Sequence, residues 1–381
     1  MFSSFGKPMK TNIKIQSAII AIVALITSAQ AQFTAGNLVV LQEGNGSAAL
    51  TSAGTPIFLD QYNTSGTLVN SLAIPSTGAS ALVNSGTAGS EGALTLSANG
   101  QYLVVAGYNA VAGTATIASS ASASVPRAVA TVDAGGNYTL AATTGTAFNQ
   151  NNIRSGTTDG NGNFWASGAA GGTVYFNSPT TTITNSTTVA NTRVIQDVSG
   201  NLYYSTGSGT TRGIYQISGT PTTTGITATS LINAGSSASP YGFAFNASLT
   251  LAYIADSDAY TTSSGTGGIE KWALVGGVWT FQYSLPVINT TGTGTSAGAT
   301  GLAVNFSGAN PIIYATSSDG ATLFDITDTG SGSTDNSLAT ASANTVFRGL
   351  AFAPVPEPAT LALAGMGLTA LWGFTRRNRK S

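Results

Sequence analysis

The 381-residue sequence predicts an all-β protein built as a β-propeller of six four-stranded blades, with a signal peptide ahead of it and a short transmembrane helix behind it. Three observations predict this fold. A strand-turn-strand unit recurs along the chain, as in residues 91–106 (EGALTLSANGQYLVVA), 241–256 (YGFAFNASLTLAYIAD) and 300–315 (TGLAVNFSGANPIIYA). Its copies begin at Glu91, Arg154, Arg193, Tyr241, Thr300 and Arg348, at spacings of 63, 39, 48, 59 and 48 residues, which suit four short strands per blade with loop insertions. The copy at 348–353 (RGLAFA) stops after one strand, and its missing partners stand near the start of the chain.

The elements follow in order. Lys7, Lys10 and Lys14 form a basic region, residues 18–26 an apolar core, and Ala29-Gln30-Ala31 a small-x-small cleavage site. These are the three parts of a secretory signal peptide over 1–31, read by the Sec translocon and signal peptidase. In the body, 32–354, residues 37–42 match the second strand of the repeat, and 56–62 with 67–74 match the outer hairpin of the copy that spans 269–285. First and last segments thus build one blade, which removes the open edges that invite aggregation. Two weaker copies carry turns at 159–163 and 197–201. The competing folds are a right-handed β-helix and a β-sandwich, because Gly, Ser and Thr suit them equally. Residues 111–149 are long enough to hold the strands of a seventh blade.

Composition narrows the function. Of thirteen Lys and Arg, three lie in the leader and four in the tail, leaving six against thirteen of the fourteen acids, so the body carries a net charge near −7. Polyanions such as nucleic acid are repelled. Cys is absent, so an exported body must rest on its core and not on disulfides. About 320 residues are ample for such a core. Only 7% of the chain is charged, yet aromatic and β-branched residues recur in bursts that a disordered chain lacks.

The tail, 355–381, reads as an address. Val355-Pro356-Glu357-Pro358 precedes sixteen uncharged residues, 359–374, and then Arg376, Arg377, Arg379 and Lys380. A helix over that run spans roughly 24 Å, short of a hydrocarbon core of about 30 Å. The basic cluster holds its end on the cytoplasmic side and leaves the body outside. Pro356 and Pro358 keep the segment between body and anchor extended and accessible. The combination resembles the PEP-CTERM sorting signal of Gram-negative bacteria. That resemblance covers the tail alone and implies recognition by exosortase, a membrane protease, with cutting near the motif and transfer to the cell surface or to extracellular polysaccharide.

The aligned repeats expose a candidate ligand ring. Glu91, Arg154, Arg193, Tyr241, Thr300 and Arg348 occupy the same position at the start of each first strand, which in a propeller lines the central channel. Arg there supplies fork-shaped donors for a carboxylate or a sugar. The plainer reading is that Glu91 pairs with Arg154 or Arg348 and closes the ring.

Enzymatic chemistry is short of residues. With no His and no Cys, Ser-His-Asp, Cys-His and the usual zinc sites are excluded, and no cofactor is implied. Carboxylates remain. Asp256 and Asp258 follow a second strand and are a weak metal or acid-base candidate, against the reading of a solvated Asp-rich turn. Asp159, Asn161 and Asn163 start like a calcium loop but lack the closing Glu, and the repeat makes them a hairpin turn. Trp165, Tyr203, Tyr204, Tyr253, Trp272 and Trp279 either stack on sugars or, as the repeat suggests, fill the space between blades. The sequence therefore points to an exported, non-catalytic surface or matrix protein that binds polysaccharide or an envelope protein. The alternative is a hydrolase or lyase using channel carboxylates on an extracellular polymer.

Overall fold

The second strand of each repeat shows why the chain folds as it does. Tyr102–Tyr108 is apolar at nearly every position, where a half-exposed strand would alternate. Both of its faces are covered: Leu103 and Val105 join a buried cluster with Val39, Leu41 and Ile57, while Val104, Ala106 and Tyr108 join another with Ile153 and Ala166. A sheet sandwiched between two sheets is what a propeller blade is.

The computed structural model describes residues 32–178, 180–261, 266–288 and 296–356, of which 33–355 form one compact unit. The expected signal peptide with Lys7, Lys10 and Lys14 lies outside the described residues. So do Glu357, Pro358, the run 359–374 and the cluster Arg376, Arg377, Arg379 and Lys380. Among the described residues no helix is long and apolar enough to cross a membrane.

Six four-stranded antiparallel sheets surround the channel, each running outward from its innermost strand. Blade 1 is Leu94–Leu96, Tyr102–Tyr108, Arg127–Asp133 and Tyr138–Thr144; blade 2 is Ile153–Thr158, Phe164–Gly168, Thr173–Ser178 and Thr181–Ser186. Blade 3 is Thr192–Val198, Asn201–Thr206, Arg212–Ile217 and Thr229–Gly235; blade 4 is Pro240–Phe245, Leu251–Thr261, Thr266–Val275 and Val278–Leu285. Blade 5 is Ala299–Asn305, Ile312–Ser317, Thr322–Thr327 and Asn336–Thr340. Blade 6 takes its innermost strand, Val346–Phe352, from the end of the chain and the other three, Leu38–Glu43, Ile57–Tyr62 and Leu68–Ala73, from the beginning. Val39 stands opposite Ala351 on one side and Gln61 on the other, so the ring closes through terminal strands as the repeats anticipate. Residues 111–149 add no seventh blade: they supply the third and fourth strands of blade 1 and the turn Ile117–Ser119.

Six buried clusters are found among the described residues, one at each junction between neighbouring blades. Trp165, Tyr204 and Tyr215 fill the junction of blades 2 and 3; Tyr203, Phe243 and Trp272 that of blades 3 and 4; Tyr253 and Phe324 that of blades 4 and 5. The aromatics are thus inter-blade packing, with Trp165 fully buried and its indole N–H donated to the Pro221 carbonyl at 2.9 Å. Trp279, half-buried on the outermost strand of blade 4, packs on Phe245.

The meander gives the ring two unlike ends. Innermost strands begin at one end, here called the mouth, and finish at the other, where the chain leaves blade 6 toward Val355. All five arginines of the body sit at the mouth end, at the first or second residue of strands that begin there or, for Arg348, at the third. Turns at the opposite end hold Asp133, Asp159, Asp197, Asp328 and Asp335.

Candidate functional site at the channel mouth

The repeat signature has a steric origin. In four copies the ring residue is followed by glycine, and in three of these an added Cβ would meet neighbouring backbone: on Gly242 it would lie 2.7 Å from the Thr300 carbonyl oxygen, on Gly301 2.6 Å from that of Arg348, and on Gly349 2.1 Å from the Leu94 nitrogen. Adjacent innermost strands therefore touch backbone to backbone, and the side chain just before each contact is turned to the axis. In blade 2 the equivalent small residue is Ser155, whose hydroxyl accepts from the Ile195 N–H of the next blade at 3.2 Å.

Glu91, Arg193, Tyr241, Thr300 and Arg348 line one cavity on the axis, with Gly89, Ser90 and Gln196. Arg154 is not among the lining residues; it turns sideways, donating to the Asn191 side chain and to the Thr192 carbonyl at 3.3 Å. The cavity has a volume of about 20 Å³. That holds a water and excludes a sugar ring, so a polymer can meet these residues only at the mouth.

Each ring member has its own partners. The Glu91 carboxylate, almost fully buried, accepts from Tyr108 Oη at 2.6 Å, the Ser85 N–H at 2.8 Å and Asn152 Nδ2 at 2.5 Å. The expected pairing of Glu91 with Arg154 or Arg348 is not made. Arg348 instead donates its Nε to Glu43 at 3.0 Å, because Glu43 ends the neighbouring strand of the same blade and brings a fully buried carboxylate beside it. Arg193 lies over the Tyr241 ring, 4.0 Å from its centroid, and donates Nη1 to Ser239 Oγ at 2.9 Å and to the Pro240 carbonyl at 3.1 Å.

Two features make this mouth chemically unusual. Arg154 Nε and Arg193 Nε are buried and make no hydrogen bond, although such groups are nearly always satisfied. Burial and the repulsion between the two guanidinia lower the pKa of Arg154. At Glu91, burial pushes the carboxyl up to about 7, against the bonds from Tyr108 and Ser85, with the Glu43 charge adding to the rise.

Asp256 and Asp258 sit where the second strand of blade 4 passes the mouth. Asp256 accepts from the backbone N–H groups of Ser239 and Asp258, and burial raises its pKa. Glu270 is buried near it, raised to about 7 by burial and then by the Asp256 charge, and accepts from Trp272 Nε1 at 3.0 Å. Among the described residues no group of three or more His, Cys, Asp or Glu is arranged to hold a metal ion. In blade 2 the Asp159 carboxylate is engaged within its own turn, accepting from the Asn161 N–H at 2.8 Å and Asn163 Nδ2 at 2.7 Å.

Sequence reasoning missed Glu43, Tyr108 and Asn152. Glu43 carried a signal, an acid one residue beyond the apolar run Leu38–Leu41 and hence at the end of a buried strand. Its partner became visible only with the register between the two ends of the chain.

Residues 354–380 match the PEP-CTERM protein-sorting motif. No curated protein matches the chain. Among solved structures, one titled a "putative 6-phosphogluconolactonase" from Bacteroides fragilis is 13% identical, covering 80% of this chain and 82% of that one, with a TM-score of 0.46. The GH74 enzyme of Niastella koreensis is 16% identical over 81% of this chain and 46% of its own, with a TM-score of 0.43. The Cps50 (Swd1) β-propeller domain of Myceliophteria thermophila is 7% identical over 62% and 65%, with a TM-score of 0.36.

Proposed function

We propose that the body is a non-catalytic binding module that holds anionic groups of extracellular polysaccharide at its arginine mouth. The sorting motif at 354–380 marks an exported protein of the Gram-negative envelope, handled by exosortase. The observation that carries the binding reading is the Arg193 guanidinium, which lines the axial cavity and has a buried Nε that no protein acceptor uses. Among the described residues no carboxylate is hydrogen-bonded to Arg193, so an incoming carboxylate or sulfate can pair with its guanidinium at the mouth. The mouth stands at the opposite end of the ring from Val355, the last residue of the compact body. The Sec translocon and signal peptidase belong to this reading as the partners of the leader, and release into the matrix as the outcome of tail cleavage.

One observation favours a carboxylate-dependent hydrolase or lyase, namely Glu91 at about 7 in the cavity wall, the range of a general acid or base. Its three hydrogen bonds and near-complete burial favour a structural part instead. The two readings separate in one experiment, a binding array of acidic and neutral polysaccharides run beside a reducing-end release assay. Retention of acidic polymers without release supports the module; release that disappears in Glu91→Gln overturns it.

A further inference from the structure

The end of the ring opposite the mouth carries most of the large apolar side chains that the described residues leave exposed. Leu68 and Val69, each about half exposed, begin the outermost strand of blade 6 there. Leu274, Val275 and Val278 flank a two-glycine hairpin turn in blade 4, with Val275 at 58% and Val278 at 66% exposure. Gly276 and Gly277 have φ of 59° and 83°, the left-handed pair that a tight two-residue hairpin requires, so the apolar tip is held in a fixed shape. Val355, also exposed, is pinned at the same end by its N–H to the Gly100 carbonyl at 2.9 Å. Among the described exposed large apolar residues, Val111 alone belongs to the mouth end, and Phe281 lies along the outermost strand of blade 4.

Only three residues of sequence separate Val355 from the uncharged run that starts at Ala359, a reach of at most about 14 Å. Aliphatic tips on separate blades, at the end from which an apolar segment departs, form the pattern of a surface that rests on lipid. We propose that this end of the propeller lies on the bilayer, with Val275, Val278, Leu68 and Val69 at the boundary between headgroups and acyl chains, for as long as the tail is uncut. The inference rests on the reading of 354–380 as a membrane-held sorting tail. The lipid face it fits is zwitterionic: this end carries Asp133, Asp159, Asp197 and Asp335, while Lys271, the basic residue of the described body that lies away from the mouth end, is already paired with Asp328 at 2.8 Å. Cutting the tail frees the body, because a few aliphatic tips hold a protein only weakly without a second anchor.

The chain has no Cys, so single labels report without background. The full-length protein, reconstituted in phosphatidylcholine vesicles, is labelled with an environment-sensitive fluorophore at Val278→Cys, at Val69→Cys and, as mouth-end control, at Val111→Cys. The expected result is a blue-shifted emission quenched by quencher-bearing lipid at 278 and 69 and not at 111, with less quenching when phosphatidylglycerol is mixed in. Vesicle flotation without quenching at 278 and 69 overturns the proposal and leaves the sorting reading standing. Failure to float overturns both. Disulfide-linked dimers of the unlabelled Val278→Cys protein, in place of lipid quenching, assign the surface to a second copy of the chain and overturn the proposal as well.

Discussion

Arg348 and Glu43 lie 305 positions apart in the chain, and Arg348 Nε donates to the Glu43 carboxylate across 3.0 Å. The pair sits where the first and last described strands meet, so the charge contact welds the closure of the ring. Both side chains are buried, Glu43 completely. Removing one partner leaves the other uncompensated, at a cost of about 3–5 kcal/mol. Chemical denaturation of Arg348→Met and Glu43→Gln is expected to show losses of that order, and the double variant Glu43→Leu with Arg348→Met a smaller loss than either. Single variants within about 1 kcal/mol of the parent would mean that the strands close the ring without the pair.

The backbone contacts between innermost strands give a second test. Gly301→Ala and Gly349→Ala each drive a methyl group into the neighbouring strand, at 2.6 Å and 2.1 Å from backbone atoms that cannot yield singly. A loss of about 1–3 kcal/mol or more is expected. Gly332→Ala, with open space around it, is the control and stays near the parent. Equal melting temperatures for all three would contradict the close approach.

Arg127 is fully buried without a carboxylate partner, and the structure shows how that is tolerated. Its guanidinium donates to the carbonyls of Val125, Ala118, Ser120 and Asn151 and to Ser120 Oγ, and stacks on Tyr108 at 5.0 Å. It thereby pins the insertion 109–126 to blade 1. Arg127→Met leaves those acceptors unpaired, each worth about 1–3 kcal/mol when buried. The expected outcome is a lower melting temperature with faster proteolytic cutting within 109–126. An unchanged cutting rate would show that the insertion is held by other contacts.

Glu91 and Glu270 fix the sign of the pH dependence. Burial raises each to about 7 in the folded chain, from the 4.5 of an ordinary glutamate. The folded state then binds protons that the unfolded state has released, so stability falls as pH rises from about 4.5 to about 7. The melting temperature is expected to be higher at the acid end of that window, and the slope to flatten in Glu91→Gln and Glu270→Gln. A melting temperature that rises across the window in the parent would contradict these environments.

The ring, its blade count and its closure were legible because each blade must bury both faces against its neighbours, which stamps an apolar second strand on the repeat and places a Gly after the ring residue in four of the six copies. Leu103, Val104 and Val105 can be read that way without coordinates. The ring positions followed from the same alignment, and Glu91, Arg193, Tyr241 and Arg348 do meet on the axis. Partner choice was not legible. The Arg348–Glu43 pair depends on the register between Val346–Phe352 and Leu38–Glu43, and Arg154 leaves the axis because Asn191 and Thr192 of the next blade offer it acceptors. The aliphatic tips at Val275 and Val278 look like ordinary strand residues until the strand order puts them at a turn.

Binding of an acidic polysaccharide at the mouth is tested most directly by calorimetric titration of the full-length protein with a uronate-bearing polymer and with the same polymer after carboxyl reduction. The expected result is heat of binding with the acidic form, none with the reduced form, and affinity at least about tenfold weaker in Arg193→Gln, the scale of one lost charge-assisted hydrogen bond. Equal binding of both polymers, or unchanged affinity in a folded Arg193→Gln variant, would contradict a carboxylate-gripping mouth.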